Sequence, residues 1–201
     1  MTRTRLQIAL LAPMAAVSLT ACGINSIPTA EEAAKARWAD VQNQYQRRAD
    51  LIPNLVSTVQ GAAAQERNVL REVTEARANA TRIQISPEQL RDPEAMRSFS
   101  EAQGRLSAAI IPLQRLQEAY PDLKSNQNFL ALQSQLESTE NRITIARTDY
   151  NRAVQGYNTR IRTFPDVIGA KIFYGAQPMV PFQATTPGSE TAPKVDFGNG
   201  A

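Results

Sequence analysis

From Trp38 onward the apolar positions recur in steps of three and four: Trp38, Val41, Tyr45, Arg48, Ile52, Leu55, Val59, Ala62, Glu66, Val69, Val73 and Ala76. A period of 3.5 residues is the seam of a packed helix, and here Arg48 and Glu66 are its charged members. Thr29-Ala30-Glu31-Glu32 has the form of a capping box, so the spacing predicts a helix from about residue 30. A second stripe runs Phe99, Ala102, Leu106, Ala109, Leu113, Leu116, Tyr120. Ser86-Pro87-Glu88-Gln89 offers a start for it and Asp92-Pro93 another, and Pro121 stops it. The third stripe begins near Asp122 to Ser125 and runs Phe129, Leu132, Leu136, Thr139, Ile143, Ala146, Tyr150, Ala153, Tyr157, then Ile161 and Phe164. The 40 residues from Lys124 to Thr163 make a rod about 60 Å long at ~1.5 Å per residue. Pro165 ends it, and Asp166 can cap a short helix through Phe173. No segment reads as a strand. Short proline-marked connections between long helices imply antiparallel neighbours. The predicted fold is all-α: an elongated antiparallel up-down helical bundle of three long helices plus a short fourth helix, with self-association left open.

The first residues follow another pattern. Arg3 and Arg5 precede an uncharged, mostly apolar run from Leu6 to Leu19, which ends in Leu19-Thr20-Ala21-Cys22. This is the layout of a secretory signal peptide, and the run is too short and too interrupted, by Gln7 and Pro13, for a membrane span. Leu-Thr-Ala-Cys also resembles the bacterial lipobox, whose cysteine becomes the lipidated first residue of the mature protein. That resemblance implies lipid attachment at Cys22, the single cysteine. Several acyl chains on one residue anchor a protein stably where one chain does not. Without Arg3 and Arg5 the 22 basic residues become 20, against 19 acidic, and the charge case for nucleic acid disappears. The chain divides into a lipoprotein signal peptide at 1–21, a lipidated N-terminus and spacer at 22–29, the bundle at 30–176, and a flexible, proline-containing tail at 177–201.

Composition narrows the chemistry. There is no histidine, which removes a Ser-His-Asp triad and the usual zinc sites. Cys22 is committed to lipid, and Gly61, Gly104 and Gly156 stand alone, so no phosphate-cradling loop is present. The pairs Glu137 with Glu140 and Glu72 with Glu75 read as solvated helix faces. Arg97, Glu101 and Arg105 read as surface ion pairs at four-residue spacing. No catalytic residue, metal ligand or cofactor is assigned.

The stretches Arg47 to Gly61, Glu118 to Ile143, Ala146 to Thr159 and Phe164 to Phe173 resemble the LemA family, in order and over roughly residues 38–182. "APKVDF" near the end resembles that family's closing motif. The resemblance implies a bacterial, membrane-associated antiparallel helical bundle with no established enzymatic activity or ligand. Many members begin with a transmembrane helix, and this chain departs from them in having a lipobox.

Within those stretches one group reads as a structural or interaction motif: Arg47, Arg48, Asp50, Pro53, Glu140, Asn141, Tyr150, Asn151, Tyr157 and Asn158. Arg48 on an apolar stripe calls for a carboxylate partner, with Glu140 the first candidate and Asp149 the next. Pro53 in mid-helix predicts a kink or break near Ala49 to Pro53. Tyr-Pro-Asp and Phe-Pro-Asp each put an aromatic on the core stripe before a helix stop. Tyr150-Asn151 and Tyr157-Asn158 lie seven apart, so both tyrosines share a seam with an amide beside each. Two functions fit. One is a non-catalytic interaction or scaffold lipoprotein of the bacterial envelope, facing the periplasm or exterior, whose partners are the membrane and an unidentified envelope protein. The other is a small-ligand-binding module, or a hydrolase, using a Tyr/Asn/Arg groove.

Overall fold

The computed structural model describes residues 25–183, and within them every regular element is helical. Helix α1 is Ser26–Ala62, α2 Arg67–Arg82, α3 Pro93–Ala119, α4 the single turn Pro121–Ser125, and α5 Gln127–Arg160. A 3₁₀ turn, Glu88–Arg91, precedes α3, and the short α6, Asp166–Gly169, passes into a π-helical turn, Ala170–Tyr174. Cys22, the leader and the "APKVDF" motif lie outside the described residues.

The predicted first rod is two helices. Ala63 still donates to Val59 O at 2.8 Å, but the chain then reverses and α2 packs back along α1. After Val59 the buried positions are Ala63, Leu70, Val73 and Ala80, with Ala62, Val69 and Ala76 only partly buried. A straight continuation would leave Leu70 in water, whereas the reversal puts it in one core with Leu106 and Leu113. The stripe crosses the turn without losing its period because α1 and α2 bury their seams in the same core. Successive cross-contacts give an up-down-up-down order: Arg77 reaches Ala49, Gln103 reaches Ala80, and Glu140 reaches Arg48. Four helices, not three, carry the bundle.

Other expected signals shift by a turn. α1 starts at Ser26, so Thr29 caps nothing and donates its hydroxyl to Asn25 O at 2.7 Å. Pro28 falls within the first turn, where its missing N–H costs no helical bond. Ser86-Pro87-Glu88-Gln89 makes only the 3₁₀ turn, and the N-cap of α3 is Asp92, whose carboxylate accepts from Glu94 N and Ala95 N. Asn126 caps α5 in the same way, accepting from Asn128 N and Phe129 N. Arg97 pairs with Glu94 in place of Glu101. Phe164, expected on the core stripe, is 80 % exposed.

Helix α1 runs unbroken through Pro53. Proline there removes the bond that Ala49 O would have accepted, and Arg77 Nε of α2 supplies it instead, at 2.7 Å. The replacement donor keeps the helix in one piece.

The core is divided lengthwise. One cluster, around Trp38, Tyr45, Phe99, Tyr150 and Tyr157, fills the end that holds Ser26. The other, around Ile52, Leu55, Leu106, Leu113 and Leu136, fills the far end. Arg48, Gln103 and Thr139 are the buried polar residues among the described ones, and each stands in sequence between a member of one cluster and a member of the other.

Candidate functional site

Tyr150-Asn151 and Tyr157-Asn158 hold a segment of their own chain. The helical heptad puts the two pairs about 10.5 Å apart on one face of α5. Across that face lies the non-helical stretch 177–183. The three residue steps from Met179 to Phe182 span about 10 Å when extended, so the two repeats match. Each asparagine then grips one residue with both ends of its amide. Asn158 Nδ2 donates to Met179 O at 2.8 Å while its Oδ1 accepts from Met179 N at 2.9 Å. Asn151 Nδ2 donates to Phe182 O at 3.1 Å and its Oδ1 accepts from Phe182 N at 2.7 Å. The tyrosines reach the carbonyls between and before these: Tyr150 Oη donates to Val180 O at 2.9 Å and Tyr157 Oη to Gln177 O at 3.1 Å. The amides do for this segment what a neighbouring strand would do.

Apolar contact completes the clamp. Phe182 stacks on Trp38 with ring centroids 5.5 Å apart, and Tyr150 and Phe99 close round the same rings. Arg147 covers the outer face of Phe182 at 4.9 Å. Burial pushes the Tyr150 phenol above its ordinary pKa, so it stays a donor. The expected flexible tail therefore does not begin at Gln177: residues 177–183 are part of the packed body. Four apolar-rich residues, Met179-Val180-Pro181-Phe182, were the signal, hidden inside a proline-containing stretch.

A second polar assembly lies mid-bundle. Arg48 is buried under Tyr45, whose ring lies 5.0 Å from the guanidinium carbon. Its Nη1 donates to Glu140 Oε1 at 2.9 Å and to Ser107 Oγ at 2.7 Å. Its Nη2 donates to Gln103 Oε1 at 2.6 Å and Gln103 O at 3.1 Å. Gln103 in turn donates to Ala80 O, so one network joins α1, α2, α3 and α5.

Residues 37–197 match the LemA family over most of the chain. This chain belongs to the LemA family. Among curated proteins it is similar to the magnetosome proteins MamQ 2 and MamQ 1 of Paramagnetospirillum magneticum, each 25 % identical over 174 residues, 79 % of this chain and 64 % of the relative. The magnetosome protein MamQ of Magnetospirillum gryphiswaldense is likewise 25 % identical over 176 residues, covering 80 % of this chain and 65 % of that protein. The LemA chain thus spans just under two thirds of the length of these relatives.

The motif residues in this LemA bundle separate into two assemblies rather than one site. Arg48 with Glu140 is one; Tyr150, Asn151, Tyr157 and Asn158 form the other. Arg47, Asp50, Pro53 and Asn141 are exposed and join neither, although Asp50 accepts from Gln46 at 2.8 Å. Gln103, Ser107 and Arg77 escaped the sequence reading because they flank their stripes instead of sitting on them. Between α3 and α5 an open groove of about 620 Å³ runs past Ser107, Ile110, Ile111, Leu136 and Glu140. Among the described residues no group of three Asp, Glu, Cys or His side chains could hold a metal, and no helix is long and apolar enough to cross a membrane.

Proposed function

We propose that this LemA-family protein is a non-catalytic, lipid-anchored interaction protein of the bacterial envelope, attached through Cys22 and presenting its helical faces to a protein partner. One observation carries the reading: the side chains with the most chemistry are spent inside the fold. Arg48 is engaged by Glu140, Gln103 and Ser107, and both Tyr-Asn pairs are filled by residues 177–183. A ligand groove at those tyrosines and asparagines has no vacancy. What the bundle offers outward is surface, including the open channel between α3 and α5. The apolar leader ending in Leu-Thr-Ala-Cys supports lipid attachment at Cys22 as the anchor.

Two measurements test this. Mass spectrometry of the mature chain should find Cys22 acylated, and Cys22→Ala should release the protein from membranes or leave it unprocessed. Purification from detergent extracts should recover a partner in stoichiometric amount, and an Ile111→Arg variant, which puts charge in the α3/α5 groove, should lose it. Recovery of the chain alone, together with a melting temperature raised by a small molecule, would overturn the interaction reading.

A further inference from the structure

The large apolar side chains left in water are not spread evenly. Phe164, Ile168, Ile172, Phe173 and Tyr174 are 43 to 80 % exposed and lie within eleven residues of sequence, from just before α6 to the end of the π-helical turn. Elsewhere among the described residues Ile111, Leu130 and Ile145 stand singly on separate turns. Scattered apolar residues need no explanation, but five exposed ones within eleven residues of chain do.

Its position is fixed by contacts with the beginning of α1. Ser26 Oγ donates to Asp166 Oδ2 at 2.7 Å, and a methyl group on Gly169 would stand 3.6 Å from Ile27 Cδ1. Cys22 lies three residue steps before Asn25, so the backbone between them reaches at most about 11 Å. A lipidated Cys22 therefore brings the bilayer surface to this end of the bundle and to no other. The charge agrees. From residue 160 to 174 there are three basic side chains, Arg160, Arg162 and Lys171, against the one acid, Asp166. All three are exposed, and none is paired with a carboxylate among the described residues. The nearest acids on α1, Glu31 and Glu32, are engaged by Lys35, with Arg91 also on Glu31. Phe and Tyr rings with aliphatic side chains, rimmed by Arg and Lys, suit the interface of an anionic bilayer.

We infer that residues 160–174 form a membrane seat: the rings and aliphatic side chains of α6 and the following turn enter the lipid interface, and Arg160, Arg162 and Lys171 meet lipid phosphates. The seat rests on the proposed anchoring at Cys22 and adds to it, since a tethered bundle could otherwise swing freely. Seated, it stands with the α1–α2 turn and α4 pointing away from the bilayer.

The test uses the full chain, expressed in bacteria, extracted and reconstituted into phosphatidylethanolamine–phosphatidylglycerol vesicles. Phe173→Cys is labelled with a polarity-sensitive fluorophore, with Phe164→Cys as a second site and Ser125→Cys at the opposite end. Labels at residues 173 and 164 should emit to the blue and lose most of their emission when the lipids are brominated along their acyl chains. The label at residue 125 should do neither. Water-like emission at 173 and 164 overturns the seat, as does a blue shift untouched by brominated lipid, which would mean that protein covers the patch. The wild-type chain carried through the same labelling reports separately on the anchor. A labelled Cys22 there refutes lipidation, whatever residues 173 and 164 show.

Discussion

Arg48 has five N–H donors, and the bundle gives partners to all except Nε, which is buried without one. Its carboxylate partner is on the surface side of the layer: the Glu140 side chain is 46 % exposed, against 1 % for Arg48. Removing the guanidinium therefore strands buried Gln103 more than it strands Glu140, which can turn to water. Arg48→Ala should cost about 2–4 kcal/mol, below the value for a fully buried pair, while exposed Arg47→Ala should stay within about 0.5 kcal/mol. Arg48→Lys should not recover the loss, because an ammonium cannot reproduce the fork. Denaturant midpoints decide all three. At Tyr150 burial alone holds the phenol above its usual range, and burial does the same at Tyr45. The folded chain then keeps these protons to higher pH than the unfolded chain. Their stabilisation is complete below about pH 10 and is lost as pH rises towards the folded values. Melting temperature should fall above about pH 10, and Tyr150→Phe should fall less steeply from a lower start, having lost one hydrogen bond worth about 1 kcal/mol.

At the scale of the element, α1 and α2 form a unit because proline removes a donor and arginine returns one. Pro53→Ala restores an N–H to Ala49 O, so Arg77→Ala should cost about 1–3 kcal/mol in the wild-type chain and distinctly less in the Pro53→Ala background. A double-mutant cycle with no coupling would show that Ala49 O takes its hydrogen bond elsewhere. This element also marks the limit of what periodicity reveals. The stripes from Trp38, Phe99 and Phe129 located α1, α3 and α5, because burying a seam demands that spacing. The same stripe ran straight through the α1–α2 reversal. Gly61 there is exposed and no proline follows it, and a hydrophobic period records which residues face a core and not the direction of the chain. The site was legible to a similar depth. Arg48 betrays itself as a charge on a seam, and Glu140 follows from the opposing stripe. The seven-residue repeat of Tyr-Asn exposes the clamp. What the clamp holds could not be read, because an extended segment has no period of its own to set against a helix.

For the molecule as a whole, residues 177–183 are the last piece of the first core cluster. Phe182→Ala should cost about 3–5 kcal/mol and should shift the emission of Trp38, the single tryptophan, to the red as its stacking ring disappears. Hydrogen exchange at Met179 and Phe182 amides, both bonded to asparagine oxygens, should quicken before exchange in α1 or α5 does. The direction of this segment has a mechanical meaning. It runs antiparallel to α5, from Gln177 beside Tyr157 to Gln183 beside Arg147. A load applied at Gln183 along the axis of α5, away from Ser26, draws on both asparagine grips and both tyrosines together, in shear. The same load applied sideways meets Arg147 and the Asn151 grip first, peels them, and only then reaches Asn158. The fold is thus stiff to tension along its length and yields stepwise to tension across it, a difference that pulling the chain from two attachment points would measure directly.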